Sequence, residues 1–312
     1  MALLDEKAKG VFVIAATPFR DDGALDLAST ERMVDFYLER GADGLTILGV
    51  MGEAPKLAAE EARTFMRAAI ARVGGRVPVV VGVSAPGFAP MKELAVSAME
   101  AGAAGVMVAP PAQARTDDQI FNYFEGVAET LGDIPFVLQD YPLITNVQIP
   151  PTVILRIIAA LPTCVMVKHE DWPGLNKIGA LRAASDTGAR RVSILTGNGG
   201  LFLTEELARG ADGAMTGFAF PEMMVGVVKA HQAGDLARAQ DIFDAYLPLA
   251  RYEQQQGIGL AVRKYVLAKR GAIASPALRK PGPKLSAADV ADVERLIERQ
   301  TKRLSEIGAS AL

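Results

Sequence analysis

A lysine at the end of a short apolar run is the residue in this chain best placed to act as a nucleophile. The run Val165–Val167 is typical of a buried strand and is followed at once by Lys168. Because side chains alternate along a strand, Met166 and Lys168 share one face. We expect Val165 and Val167 to face covering helices, which turns Lys168 inward. An ammonium in a pocket of low dielectric has a lowered pKa, as a Schiff-base nucleophile requires. The alternative is a lysine that extends from a strand end into solvent.

The end of another apolar run offers a place for a carboxylate. Gly49 and Gly52 bracket Val50 and Met51 and lead into Glu53 at the start of a helical segment. Glycines at this spacing permit a tight turn whose backbone N–H groups bind an anion near a helix N-terminus. The same residues also fit an ordinary strand-to-helix turn with an acidic residue in the first helical turn. Taken alone, this segment leaves both interpretations open.

Two further strand ends carry polar or glycine-rich groups. The segment Gln139–Pro142 brings an amide, a carboxylate and a phenol to one strand end. Because positions i and i+2 of a strand share a face, Gln139 and Tyr141 point the same way. Tyr141 is either a proton relay or an amphipathic residue at the rim. The loop Gly197–Gly200 is similar to the phosphate-binding loops of some barrels, although it contains no Lys or Arg. It favours an alternative function, an aldolase acting on a phosphorylated sugar.

These strand ends belong to a regular alternation of short apolar runs with longer amphipathic segments. Each run is continuously apolar, which is typical of parallel strands covered by helices. Eight such strands alternating with helices in 312 residues predict a (β/α)8 TIM barrel, an α/β fold. The predicted strands are Val11–Ala16, Gly44–Leu48, Val77–Val83, Gly105–Ala109, Pro135–Gln139, Cys164–Lys168, Val192–Gly197 and Gly213–Gly217.

The last part of the chain is predicted to be helical throughout. The first helix after Gly217 closes the barrel, and the others follow it. We therefore expect residues 1–232 to form the barrel and to carry the active site at the C-terminal ends of the strands. Residues 233–312 are expected to form a C-terminal helical extension. The helices predicted after Gly217 are Met223–Ala237, Leu236–Gln256, Gly259–Arg270 and Ser286–Arg303.

Composition excludes several classes of function. Lys and Arg number 33 against 36 Asp and Glu, a net charge of −3, which indicates neither a nucleic-acid surface nor a polybasic membrane patch. The single cysteine, Cys164, cannot form an internal disulfide, and Met1–Gly10 lacks the apolar core of a signal peptide. Apolar segments are interrupted before they reach the length of a membrane span. We expect a soluble cytoplasmic protein. Only two histidines, His169 and His231, are present, which disfavours a metal hydrolase.

Taken together, these segments resemble the dihydrodipicolinate synthase / N-acetylneuraminate lyase superfamily of class I aldolases. The resemblance extends from about Gly10 to the end of the chain, and the order and spacing of the motifs carry it. These motifs are Thr17-Pro18-Phe19 with Asp22-Gly23 and Asp26, the turn Gly49–Glu53, Lys168, the segment Gly210–Gly217 and the helical C-terminal extension.

The resemblance implies a barrel subunit that assembles into homotetramers as a dimer of dimers and uses no metal or organic cofactor. It implies that Lys168 forms a covalent imine with the carbonyl carbon of a small 2-oxo acid, so that a C–C bond breaks or a β-hydroxyl leaves. The substrate carboxylate is expected against the backbone N–H groups of Val50 and Met51. We expect Lys168, Tyr141 and Gln139 to be catalytic. The residues expected to bind substrate are Val50, Met51, Gly52, Gly197 and Met215.

Several positions depart from the pattern of the synthases. Family synthases and lyases carry Ser or Thr where this chain has Val50 and Met51, and a tyrosine where it has Gln139. The tyrosine that crosses between subunits matches Ala112, and the arginine for a second substrate carboxylate matches Ile144. Because these replacements remove the hydroxyl relay, dihydrodipicolinate synthase activity is not expected.

The chain resembles instead the 2-keto-3-deoxy sugar-acid dehydratases of this superfamily, notably those acting on 2-keto-3-deoxy-arabonate. The similar segments are Gln139–Pro142, Ala214–Pro221 and Tyr246–Ala261. Such dehydratases often alter the turn that this chain keeps at Gly49–Glu53, so a pyruvate-type aldolase stays open. A third alternative is a catalytically silent barrel that binds a small 2-oxo acid as sensor or scaffold. Such a barrel, however, has no need for Lys168.

Overall fold

Eight parallel strands hydrogen-bond to one another in chain order, and the eighth closes the ring by pairing with the first. This arrangement is seen in a computed structural model that describes residues 2–172 and 174–309. The strands are β1 (Gly10–Ile14), β2 (Gly44–Ile47), β3 (Val79–Gly82), β4 (Gly105–Val108), β5 (Phe136–Asp140), β6 (Cys164–His169), β7 (Ser193–Thr196) and β8 (Gly213–Thr216). Each overlaps a predicted strand, and the predicted (β/α)8 barrel is confirmed.

Helices alternate with the strands and then continue beyond the barrel. Side-chain caps explain where two of these helices begin, at Leu27 and at Asp117. The Asp26 side chain accepts a hydrogen bond from the Ser29 N–H, and the Thr116 side chain accepts one from the Gln119 N–H. The helices are α1 (Leu27–Glu39), α2 (Ala59–Val73), α3 (Phe88–Glu100), α4 (Asp117–Leu131), α5 (Pro142–Thr145), α6 (Pro151–Ala160), α7 (Leu175–Asp186), α8 (Leu203–Ala208), α9 (Pro221–Gln232), α10 (Leu236–Glu253), α11 (Gly259–Lys269) and α12 (Ala287–Glu306).

Two layers of apolar side chains set the direction in which each strand residue points. The inner layer fills the barrel and includes Met166 of β6, whereas Val167 packs in the outer layer against the helices. Val165 was expected to face the helices, but it lies in the inner layer. The reason is a bulge: Phe136 pairs with Cys164 and the next residue of β5 pairs with Met166, which leaves Val165 as an extra residue. The alternation predicted for Met166 and Lys168 holds beyond the bulge.

The chain beyond residue 232 continues as α10, α11 and α12, in agreement with the predicted helices. Helix α10 packs on α9 of the barrel and on α12. The predicted boundary between residues 232 and 233 falls in the link from α9 to α10 and stays a prediction. Residue 1 of the predicted barrel and residues 310–312 of the predicted extension lie outside the described residues.

Residues 2–172 and 174–309 contain neither a membrane-spanning helix nor a cluster of metal-binding side chains. No helix in these ranges is long and apolar enough to cross a membrane. The same ranges hold no group of three or more His, Cys, Asp or Glu side chains arranged to bind a metal ion.

A carboxyl group buried outside the barrel predicts how stability depends on pH. Glu206 of α8 is buried, and its Oε2 atom has no hydrogen-bond partner in the described part of the chain. Burial raises the pKa of Glu206 from 4.5 to about 7, against the opposing effect of a hydrogen bond from Thr196. Between these two values the folded state keeps a proton that the unfolded state releases. Stability therefore falls as the pH rises through this window.

We expect Glu206→Gln, which is neutral at every pH, to lose this part of the pH dependence. The ionisation costs the folded state up to about 3 kcal/mol, so the difference in Tm between about pH 5 and about pH 8 should shrink by a few degrees. Thermal unfolding at the two pH values measures it. The neighbouring Glu205→Gln makes the same charge change at a less buried site and should behave as wild type. An unchanged pH dependence in Glu206→Gln would contradict the assignment.

Candidate active site

A pocket opens at the C-terminal ends of the strands, where the predicted catalytic residues come together. Three predicted residues line this pocket: Lys168 of β6, Gln139 of β5 and Tyr141, which follows β5 directly. The prediction that Gln139 and Tyr141 share a face is confirmed. The full lining consists of Ile14, Val50, Met51, Gln139, Tyr141, Lys168, Glu170, Asn198, Thr216, Gly217, Gln254 and Arg263.

The centre of the pocket is an ion pair between Lys168 and Glu170. The Lys168 Nζ atom lies 2.6 Å from Glu170 Oε1, and the two side chains are 5% and 7% exposed. Gln139 lies beside Lys168 in the β5–β6 register, and its Nε2 donates a hydrogen bond of 2.8 Å to the same Glu170 oxygen. A carboxylate at this distance is within reach of the lysine protons, and the loss of one of them leaves a neutral amine. Such an amine attacks a carbonyl carbon.

Gly197 was predicted to bind substrate, and the structure gives it a different neighbour. A Cβ atom at this position would lie 2.0 Å from Cγ of Glu170, so only glycine leaves room for that side chain. Asn198, the next residue, donates from Nδ2 to the Glu170 backbone carbonyl oxygen at 3.1 Å. The loop after β7 therefore positions Glu170, and Gly197 does not line the pocket.

The Tyr141 phenol lies in surroundings that keep it protonated. Burial raises the pKa of its phenol to about 12, and the nearby Glu170 carboxylate adds to the rise. The phenol therefore keeps its proton at neutral pH and can donate it, as an acid, to a leaving group or a developing negative charge.

The turn after β2 presents two free backbone donors. Gly52 donates to the carbonyl oxygen of Gly49, and Glu53 donates to that of Val50. The N–H groups of Val50 and Met51 have no hydrogen-bond partner among the residues that the structure describes. Both residues line the pocket, so the turn has the donors that a substrate carboxylate needs.

Gly52 and Met215 were also predicted to bind substrate, but neither lines the pocket. The carbonyl oxygen of Gly52 accepts a hydrogen bond of 2.6 Å from the Thr17 hydroxyl, which fixes the turn from behind. Met215 packs in the inner apolar layer of the barrel. Both residues support the site from outside the lining.

Glu53 holds the turn against the C-terminal extension. Its Oε1 atom lies 2.7 Å from Lys264 Nζ, and its Oε2 atom lies 3.0 Å from Lys56 Nζ and accepts a bond from the Arg279 N–H. Burial lowers the pKa of Lys264 to about 8, which the Glu53 carboxylate partly offsets. The acidic residue of the turn is thus a buried anchor, and the extension helps to fix the position of Val50 and Met51.

The C-terminal extension also supplies part of the pocket wall, beside the residues that come from the predicted barrel, residues 1–232. Gln254, just after α10, and Arg263 of α11 line the pocket. Arg263 is buried and its Nε atom lies 2.5 Å from Oε1 of Glu253. Sequence patterns do not place these residues near Lys168, although two adjacent cations, Arg263 and Lys264, stand out in the middle of a helix whose other charged residue is Lys269 at its end.

His169 and Asp140 lie on the far side of their strands from the pocket. His169 Nδ1 is 3.3 Å from Asp140 Oδ2, and the same oxygen is 2.8 Å from Lys177 Nζ. His169 therefore faces away from Lys168, as strand alternation predicts. These residues tie β5 and β6 to α7, outside the reacting centre.

The loop after β7 does not provide the phosphate site of the phosphorylated-sugar alternative. Its N–H groups are engaged within the protein: Gly197 donates to His169 O, Gly199 to Thr216 Oγ1 and Gly200 to Gly197 O, at 2.9, 2.8 and 3.0 Å. A phosphate would have to displace these bonds, and the loop brings no cation to compensate.

Comparisons with known proteins agree with the fold. The sequence model of the dihydrodipicolinate synthetase family matches residues 7–300. L-2-keto-3-deoxyarabonate dehydratase from Azospirillum brasilense is 32% identical over 282 residues, which cover 89% of this chain and 89% of that relative. The 4-hydroxy-tetrahydrodipicolinate synthase of Thiobacillus denitrificans is 32% identical over 291 residues, covering 89% and 92%.

A solved structure is more similar still. The crystal structure of dihydrodipicolinate synthase from Rhodopseudomonas palustris is 54% identical, has a TM-score of 0.94, and is matched over 96% of this chain and 100% of its own. Because the family match spans most of the chain, this protein belongs to the dihydrodipicolinate synthetase family and is a lyase.

Proposed function

We propose that this protein is a Schiff-base lyase that dehydrates a 2-keto-3-deoxy sugar acid through an imine on Lys168. The observation that carries the proposal is the 2.6 Å contact between Lys168 Nζ and Glu170 Oε1 in a pocket at the C-terminal end of the barrel. The covalent imine replaces a cofactor, and neither a metal ion nor an organic cofactor is required.

Imine formation begins when Glu170 takes a proton from the Lys168 ammonium. The free amine attacks C2 of the 2-oxo acid. The carbonyl oxygen takes the proton held by Glu170 and a second proton from the attacking nitrogen and leaves as water, which gives a protonated imine and returns Glu170 to its carboxylate form. The N–H groups of Val50 and Met51 hold the C1 carboxylate and fix the carbonyl carbon next to the amine. The positive imine withdraws electrons from the C2–C3 bond, which acidifies the protons on C3.

The elimination needs one base and one acid. Glu170 takes a proton from C3, and the resulting enamine electrons expel the hydroxyl on C4, which leaves as water after it receives a proton from Tyr141. Hydrolysis of the unsaturated imine returns Lys168 and releases the dehydrated 2-oxo acid. Gln139 holds Glu170 in place through its 2.8 Å hydrogen bond.

Dehydration is favoured over the synthase reaction because of the side chains at the turn and on β5. Val50 and Met51 carry no hydroxyl that could relay a proton, and Gln139 donates to Glu170 instead of acting as an acid. The similarity to L-2-keto-3-deoxyarabonate dehydratase supports the same choice. The 54% identity to the Rhodopseudomonas palustris protein makes the synthase the second candidate.

Product analysis separates these candidates. We expect the purified protein to convert a 2-keto-3-deoxy pentonate into a product lighter by one water, with no pyruvate released. Release of pyruvate and an aldehyde would assign an aldolase. Condensation of pyruvate with aspartate semialdehyde, at a kcat/KM above that for the sugar acid, would assign the synthase and contradict the proposal.

We also propose that the subunits form a homotetramer, a dimer of dimers, as in the family that the chain resembles. Sedimentation of the purified protein measures the mass of the assembly, and a monomer at working concentration would contradict this proposal.

A further inference from the structure

One arginine nitrogen in the pocket wall has no partner. Arg263 is 1% exposed; its Nε binds Glu253, and its Nη2 donates to the backbone carbonyl oxygen of Gly217. The third nitrogen, Nη1, is buried without any hydrogen-bond acceptor in residues 2–172 and 174–309. A Cβ at Gly217 would lie 2.1 Å from Nη1, so the glycine at the end of β8 leaves the space that Nη1 occupies at the pocket.

A buried guanidinium N–H without an acceptor is unfavourable, and native structures seldom keep one. Two of the three nitrogens hold the side chain rigidly, which aims Nη1 at a fixed point of the pocket. A rigid, unsatisfied donor beside Lys168 is suited to donate a hydrogen bond to an oxygen atom of the substrate.

The surrounding charges indicate whether the oxygen that binds Nη1 belongs to a carboxylate or to a hydroxyl group. The Arg263 charge is balanced by Glu253, which is itself buried and accepts a second bond from the Ala219 N–H. The Lys168 charge is balanced by Glu170. A second substrate carboxylate at Nη1 would therefore be a buried anion without a compensating charge, which is unfavourable.

Apart from Lys168 and Glu170, the polar side chains that line the pocket with Arg263 are neutral hydrogen-bonding groups. The amides of Gln254 and Asn198 and the hydroxyl of Thr216 line the same pocket. The Gln254 side chain packs against Gly199, where a Cβ would lie 2.2 Å from its Nε2 atom. Neutral amides and hydroxyls with one fixed guanidinium donor match the hydroxyl groups of a sugar chain.

We propose that Arg263 Nη1 donates a hydrogen bond to a hydroxyl oxygen of the substrate chain beyond C3, and that this contact selects a polyhydroxylated 2-oxo acid over pyruvate and over dicarboxylic 2-oxo acids. The inference rests on the proposed function. It assigns the C-terminal extension a direct part in substrate recognition, and it makes Arg263 a residue that determines specificity.

The variant Arg263→Lys tests this contact. Lysine keeps a positive charge for Glu253 but has no planar group that also reaches Gly217 and the pocket. We expect imine formation to need a higher concentration of a 2-keto-3-deoxy pentonate. The half-saturating concentration should rise about 10- to 100-fold, which corresponds to the loss of one hydrogen bond to a charged donor. Half-saturation by pyruvate should change by less than about 3-fold, because pyruvate has no hydroxyl to contact Nη1.

Imine formation is measured as the fraction of protein that gains the reduced adduct under borohydride, and the Tm reports folding. Arg238→Lys is the matched control in the same extension. The Arg238 side chain donates a hydrogen bond to the backbone carbonyl oxygen of Ile307. An equal loss for pyruvate and for the sugar acid, or no loss for either, would overturn the role of Arg263. A wild-type protein that forms no adduct with any 2-oxo acid would overturn the proposed function itself.

Discussion

Replacing Lys168 with methionine is expected to lower kcat for the 2-oxo acid substrate by at least about 10³-fold. The variant has a side chain of similar length but no amine, so C2 loses its nucleophile and the imine cannot form. The remaining pocket still contains the free N–H groups of Val50 and Met51, and substrate binding should weaken much less than turnover. Steady-state kinetics with single-turnover product analysis measure the two effects separately.

This substitution also leaves Glu170 without its cation. Removing one partner of a buried ion pair destabilises a protein by about 3–5 kcal/mol, although the hydrogen bond from Gln139 to Glu170 remains. The Tm of the variant must therefore be compared with the assay temperature. Lys269→Met, on the exposed side of α11, removes a lysine that pairs with Glu294 at the surface and should keep full activity. Full turnover by folded Lys168→Met would refute the mechanism.

Replacing Glu170 with glutamine is expected to lower kcat by about 10²- to 10⁴-fold, the usual contribution of a general base. The amide is almost the same size and still accepts the hydrogen bond from Gln139, but it takes no proton from Lys168 or from C3. Imine formation should become slow, because no carboxylate then takes the proton from the lysine. Once the imine has formed, it should accumulate instead of proceeding to the dehydrated product.

The accumulated imine distinguishes the two variants. Under borohydride, Glu170→Gln should still give a reduced adduct on Lys168, whereas Lys168→Met should give none. Glu93→Gln neutralises an exposed carboxylate on α3 and serves as the control. Glu170→Gln with wild-type kcat would show that another group moves the proton.

The barrel could be predicted from the sequence because its signals are local. Short apolar runs at regular intervals identified the eight strands, and alternation along β5 and β6 brought Gln139, Tyr141 and Lys168 to one pocket. The same alternation places Glu170 on the face of Lys168, so a signal for the ion pair was present. The bulge at Val165 escaped prediction because it depends on the register with β5, which one strand alone does not specify.

The contribution of the extension could not be predicted because it depends on contacts between distant parts of the chain. Arg263 reaches Gly217 at the end of β8, and Lys264 reaches Glu53 after β2, through the packing of α11 on the barrel. No periodicity within α11 indicates these partners. The close approach of Gly197 to Glu170 could not be predicted for a similar reason, because the two residues belong to different strand ends.

The central claim is the covalent imine on Lys168, and borohydride trapping of the full-length protein tests it most directly. The protein is incubated with a 2-keto-3-deoxy pentonate, and separately with pyruvate, then reduced, digested and mapped by mass spectrometry. The mechanism predicts one reduced adduct, carried by the peptide that contains Lys168. An adduct on another lysine, such as the buried Lys177 or Lys264, would contradict it. No adduct with either 2-oxo acid would contradict it as well, and would favour a barrel that binds its ligand without catalysis.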